Sequence, residues 1–177
     1  MKIPPWLAAL LLPLAAAAQS PYAGQESRTL KALSPEEVAA YLEGKGQGFA
    51  KPAELNGFPG PMHVLELADK LELTEAQRDA TRRLMDRHKA EARALGRELV
   101  ENEQALERLF ASRDASAESV AAAVARSAQI QGRIRASHLL THLEQTRLLD
   151  AKQVRLYHRL RGYEGGGHGG GGHRHLH

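Results

Sequence analysis

Cysteine is absent from all 177 residues, which excludes thiol nucleophiles, disulfides and every cysteine-based metal site. Aromatic residues reach only 5 %, while Ala, Leu, Arg and Glu dominate, a composition of long amphipathic helices. A Gly-rich phosphate loop, a Ser/His/Asp order and a pocket-forming carboxylate pair are all missing, so catalysis is the class these residues favour least. Charge of one sign is also scarce. A formal net charge of +3 is too small to argue for nucleic acid.

What is present begins with an export signature. Met1 and Lys2 give a positive start, Ile3 to Ala18 is apolar apart from three prolines, and Ala16-Ala17-Ala18 supplies a small-x-small cleavage pattern before Gln19. The apolar run of about 16 residues falls short of the roughly 20 that span a bilayer. Pro13 would also remove a backbone hydrogen bond from any permanent span. The expectation is a cleaved signal over residues 1–18 and a periplasmic chain; an uncleaved signal would make it membrane-anchored. About 160 residues then remain, enough for one domain held by packing alone.

Residues 19–61 read as a polar arm, a short helix and a Gly/Pro-rich loop. Ser34, Pro35 and Glu37 form a helix start with a capping box, and Gly44 stops that helix. From Gly44 to Pro61 the composition allows a flexible linker, whereas Phe49, Leu55 and Phe58 suggest partial packing, with a short turn around Pro52 to Leu55. Helical periodicity starts at Met62 and opens a domain over 62–162. Val64, Leu65, Leu67, Ala68 and Leu71 recur at three- and four-residue spacing, and Thr74 with Gln77 restarts the pattern. The long helix from Glu75 carries the stripe Ala80, Leu84, His88, Leu95, Leu99, Leu106 and Leu109, with Phe110 beside it.

A turn over Ser112 to Ala115 leads to a second long helix from about Ser116 to Arg147, striped by Val120, Val124, Ile130, Ile134, His138 and His142. Asp150 and Gln153 start a last helix bearing Val154, Leu156, Tyr157 and Leu160. So short a turn makes the long helices antiparallel, in an all-α hairpin with short helices folding over its open end. If the turn is centred between Arg113 and Asp114, level residues have numbers totalling about 227. His88 is then level with His138 and His142, with Met85 and Asp86 beside it and His63 arriving from the helix over this end. A hairpin core is thin, so a homodimer is the expected way to bury the remaining stripe.

Leu73, Thr74 and Gln77 spell an LTxxQ motif, and Leu149, Asp150 and Gln153 a variant copy with Asp for Thr. Two copies bracketing a helical hairpin behind a signal peptide resemble the Spy/CpxP family, including zinc resistance-associated proteins and periplasmic heavy-metal sensors. The resemblance covers about Met62 to Gly162. It implies a cradle-like homodimer, with members that bind unfolded envelope proteins without ATP or restrain a sensor kinase. Metal-sensing members carry histidines one or two turns before each motif. Here His63 lies ten residues before Leu73, and His138 and His142 lie eleven and seven before Leu149, a register about one turn from those sensors.

Four histidines on three helices are the candidate ligands: His63, His88, His138 and His142. His138 and His142 share a helix face, and imidazole suits zinc, copper or nickel, none of them expected to be required for folding. A hydrogen-bonded boundary histidine is the plainer reading of each alone, and clustered histidines also suit pH sensing. The segment 163–177 is Gly-rich and adds His168, His173, His175 and His177, either as a metal-binding tail or as solvated chain. Arg82, Arg83, Arg87, Arg93 and Arg97 offer a basic face for acidic clients or an ordinary solvated surface. The reading is an envelope-stress protein that binds divalent metals and shields unfolded proteins; the alternative is a chaperone or kinase regulator with no dedicated metal site.

Overall fold

The computed structural model describes residues 20–163, so the leader and the four tail histidines lie outside the described residues. All regular structure within them is helical: α1 (Pro35–Glu43), α2 (Lys51–Leu55), α3 (Pro61–Glu66), α4 (Glu75–Ala111), α5 (Ala117–Leu148) and α6 (Ala151–Leu160). Helix starts follow the caps. Ser34, Thr74, Ser116 and Asp150 each accept from the backbone N–H three residues on, and that residue's side chain bonds back, closing a capping box on α1, α4, α5 and α6. Helix α4 runs 37 residues and α5 runs 32. The turn between them includes Arg113 in a left-handed conformation, φ 63°.

The two long helices pack antiparallel along their lengths. Their register is one number short of the expected total: Gln145 Nε2 donates to Thr81 Oγ1 at 3.2 Å, and His88 meets His138 at 3.0 Å. The shared total is what equal rise on two helices requires, with the turn centred on Arg113 and not half a residue later. Two apolar clusters hold the molecule. One joins Val64, Ala68, Leu71, Leu73 and Tyr157 where α3 and α6 fold over the open end. The other joins Leu95, Leu99, Ile130 and Ile134 in mid-hairpin, with Tyr41 and Phe49 packed on it. Between the clusters the interface is polar, built from Thr81, His88, Ser137, His138, Thr141 and Gln145.

The outer stripe departs from expectation. Leu106, Leu109 and Val120 are only half-buried, and Phe110 and Val124 are 59 % and 51 % exposed. Among the described residues no third helix reaches the hairpin tip, since α1 packs on α4 lower down. Two helices alone cannot enclose a stripe. The segment after Gly44, by contrast, is packed chain and not a free linker: Ala53, Pro59 and Gly60 are buried and Phe49 lies on the mid-hairpin cluster, although Leu55 stays exposed.

The motif glutamines meet each other. Gln77 Nε2 donates to Gln153 Oε1 at 2.8 Å and to the Leu148 carbonyl at 2.9 Å, while Gln153 Nε2 returns a bond to Gln77 Oε1 at 3.0 Å. Gln153 Nε2 also reaches the Leu71 carbonyl at 3.3 Å. Each glutamine thus closes its own helix start and fastens it to the other. Gln153→Ala leaves several buried partners unsatisfied, so urea unfolding is expected to show about 2 kcal/mol of lost stability. A change below about 0.5 kcal/mol would mean that water replaces the amide without loss.

Candidate metal centre

The polar stretch of the hairpin holds a directed chain of hydrogen bonds. Ser137 has one hydroxyl proton and gives it to Glu91 Oε2 at 2.8 Å. Its oxygen then accepts from His88 Nδ1 at 3.2 Å, which leaves His88 Nε2 as an acceptor. His138 Nδ1 donates to that nitrogen at 3.0 Å, the two rings edge to face with centroids 4.5 Å apart. The chain ends there. His138 Nε2 is buried and has no hydrogen-bond partner.

Both rings are held neutral. Burial pushes His138 down to about 4, helped by repulsion from His88 and then His142. Burial also lowers His88, opposed by Glu91 and reinforced by His142. A neutral imidazole near pH 7 is the form that donates to a metal. Two nitrogens on a tetrahedral zinc stand roughly 3.3 Å apart, as follows from zinc–nitrogen bonds of about 2.0–2.1 Å. The facing nitrogens of His88 and His138, at 3.0 Å, need only a few tenths of an ångström to match. An ion between them would take the place of the His138 Nδ1 proton, which would move to the unpartnered Nε2 on the other edge of the ring, so the pair offers two of the ligands a divalent transition metal needs.

The other histidines are engaged elsewhere. His142 donates Nδ1–H to the Phe58 carbonyl at 2.7 Å, with Glu54 Oε2 at 3.6 Å. Gly60 covers the same ring so closely that a Cβ there would lie 2.9 Å from Nε2. His63 Nδ1 binds Glu66 Oε2 on its own helix at 2.7 Å. The expected meeting of four helical histidines is therefore a contact of two, His88 and His138. His142 is near enough to lower both, and His63 is paired with Glu66 on its own helix. Among the described residues no group of three or more His, Asp or Glu is set to hold an ion.

Sequence reasoning passed over the supports. Ser137 and Glu91 fix the His88 tautomer, the kind of outer partner that orients metal-binding histidines. Phe49 stacks on His138 with centroids 5.8 Å apart. Glu54 is a hub: it accepts from Tyr157 Oη at 2.5 Å, Tyr163 Oη at 3.0 Å and the Gly60 N–H at 3.2 Å, with Arg161 Nε at 3.5 Å. Burial, then the Glu54 carboxylate, holds the Tyr157 hydroxyl far above its usual range, so it stays a donor. One signal was available: Glu54 is the sole acid between Gly44 and Pro61.

The motif residues are structural in this setting. Leu73 is in the end cluster with Leu149 against it, and Thr74 and Asp150 are caps. The arginine face is partly neutralised: Arg82 pairs with Asp79 at 2.8 Å, Arg87 with Glu144 at 2.5 Å, and Arg93 Nε donates to the Glu43 carbonyl at 3.3 Å. Arg83 and Arg97 are exposed.

Residues 38–155 match a family model described as heavy-metal resistance. The match begins inside α1, so it includes the Gly/Pro-rich segment that the two motifs do not reach. No curated protein and no solved structure matches the chain. An all-helical hairpin, paired motif glutamines and a match across α1 to α6 agree, and the chain belongs to the heavy-metal resistance family of the Spy/CpxP-like group.

Proposed function

We propose that this chain is an exported envelope protein that binds a divalent transition metal (zinc, copper or nickel) at the His88/His138 pair. The observation that carries the reading is two buried, neutral imidazoles facing each other across the hairpin, one of them with an unpartnered nitrogen. Bound there, the ion would supply a positive charge shared by both helices in place of one shared proton. The chain's own part is to keep both rings neutral, to fix the His88 tautomer through Ser137 and Glu91, and to hold the facing nitrogens near a metal's spacing. The tail histidines give a second, weaker point of capture. The role is sequestration or sensing in the periplasm, by binding and not by catalysis.

The test is calorimetry on chelator-treated full-length chain in which His168, His173, His175 and His177 are alanine, so that only the helical site reports. His88→Ala/His138→Ala is expected to weaken zinc or copper binding by more than about 100-fold, beyond the loss typical of an outer-shell change. Unchanged affinity in the double variant would sink the site.

A second activity is favoured by the uncovered apolar residues Phe110, Val124, Leu140 and Leu143. They suit either a homodimer contact or the capture of unfolded envelope proteins, as in Spy-like relatives; a sensor kinase is the alternative partner. Stoichiometric protein is expected to suppress aggregation of a denatured client, and Phe110→Ser/Val124→Ser to remove that protection. A client that aggregates equally with and without the protein rules the activity out.

A further inference from the structure

Gly132 stands in the middle of α5, where a lone hairpin has no use for a glycine. It is exposed, and a Cβ built there would meet nothing within 4 Å. Glycine is the poorest helix former after proline, so alanine would serve the helix better. Its neighbours on the same face share its character. The side of α5 buried on α4 runs through Ser127, Ile130, Ile134 and Thr141. The opposite side, at three- and four-residue spacing, runs from Ala121, Ala125 and Ala128 through Gly132 to Ala136, Leu139 and Leu143. All of these are exposed but Leu139, which is half-buried, and Leu140 beside them is 55 % exposed. The face is about 33 Å long on a helix about 10 Å wide, on the order of 300 Å². Exposed apolar patches of that size mark interaction sites.

Size is sorted along it. Before Gly132 the face holds only alanine, and leucine comes only after Ala136. On a second copy running the opposite way, with a two-fold axis at Gly132, each large residue meets a small one. Leu143 lies over Ala121 of the second copy, Leu139 over its Ala125 and Ala136 over its Ala128. At the centre glycine meets glycine, and the side chains at a helix contact set how closely the axes approach. The ends agree in charge. Glu118 lies just outside the alanine half and Arg147 just outside the leucine half, both exposed, so the same register sets each beside its opposite. A parallel pair would stack leucine on leucine, leave the alanines apart and oppose like charges at both ends.

We propose that this face of α5 binds the same face of a second copy of the chain, antiparallel and two-fold about Gly132. A contact of one patch with itself closes after two copies, the commonest symmetry of soluble oligomers. The inference stands apart from the metal reading, and it gives the homodimer contact of Leu140 and Leu143 a face and a register.

Sedimentation equilibrium on the full chain is the first measurement. The parent is expected to show a reversible monomer–dimer equilibrium, and Gly132→Leu to weaken it by about 100-fold or more, because a leucine at the two-fold axis holds the helices apart. The variant's own fold is not at risk, since the space is open and leucine favours helix; its thermal midpoint as a monomer should not fall. The chain has no cysteine of its own, so introduced ones report the register without background. Ala125→Cys/Leu139→Cys is expected to form a covalent dimer in a glutathione redox buffer, while either single variant stays a monomer on a non-reducing gel. A parent that is monomeric throughout the concentration series overturns the proposal, as does a dimer that Gly132→Leu leaves intact. Cross-linking of Leu139→Cys alone overturns the antiparallel register. Zinc binding through His88 and His138 lies within one chain and should be the same in Gly132→Leu, so the two readings fail separately.

Discussion

Gly96→Leu is expected to lower the thermal midpoint by about 10 °C, from about 3 kcal/mol of lost stability. Gly96 lies on the buried face of α4, where a side chain would ordinarily help the helix. The reason for glycine is the approach of α1. A Cβ at position 96 would overlap the Tyr41 carbonyl, which is backbone and cannot rotate away. One turn earlier Ala92 meets Gly44, the left-handed cap of α1 at φ 68°, with room for little more than a methyl. Helix α1 therefore sits on a track of small residues, and a leucine displaces it together with Tyr41 from the mid-hairpin cluster. Hydrogen exchange should localise the damage to residues 35–43 and leave α5 protected. A midpoint unmoved by the substitution would mean that α1 is not docked there in solution.

Metal-free protein is expected to lose on the order of 2–3 kcal/mol as the pH falls from about 6.5 to about 4. The cause is His138, which burial and its neighbours His88 and His142 push down to about 4 in the folded state. The unfolded imidazole titrates near 6.5, so between these values the unfolded chain binds the extra proton. Stability then rises with pH: the contribution is complete above about 6.5 and is lost as pH falls through the window. His88 adds in the same direction, moderated by Glu91. Urea unfolding at half-unit steps of pH is the measurement. His138→Gln should flatten the slope, and parallel slopes for the variant and the parent would remove His138 from the account.

Much of this was legible before any coordinates. Helices begin where Ser34, Thr74, Ser116 and Asp150 begin them because a cap is a local event within four residues. The level of His88 with His138 followed from rise alone. Burial was less legible, since Leu106 and Phe110 look like Leu95 and Leu99 in sequence but have no third helix over them among the described residues. The site was half legible. Histidine spacing pointed to His138 and His142 as partners, yet one turned across the hairpin to His88 and the other outward to Phe58. His63 had a readable alternative all along, a carboxylate three residues on at Glu66.

Local chemistry and periodicity by themselves decided the four capped helix starts, the antiparallel hairpin and the pairing level, since each depends on residues close in the chain or on constant rise. Tertiary structure alone decided that Gly44 to Gly60 is a packed strap, that Glu54 anchors α6 and that Gln77 clasps Gln153. It also decided which imidazole nitrogens face each other. Those outcomes join residues 50 to more than 100 positions apart, and no spacing rule ranks such contacts until the whole chain has chosen what to bury.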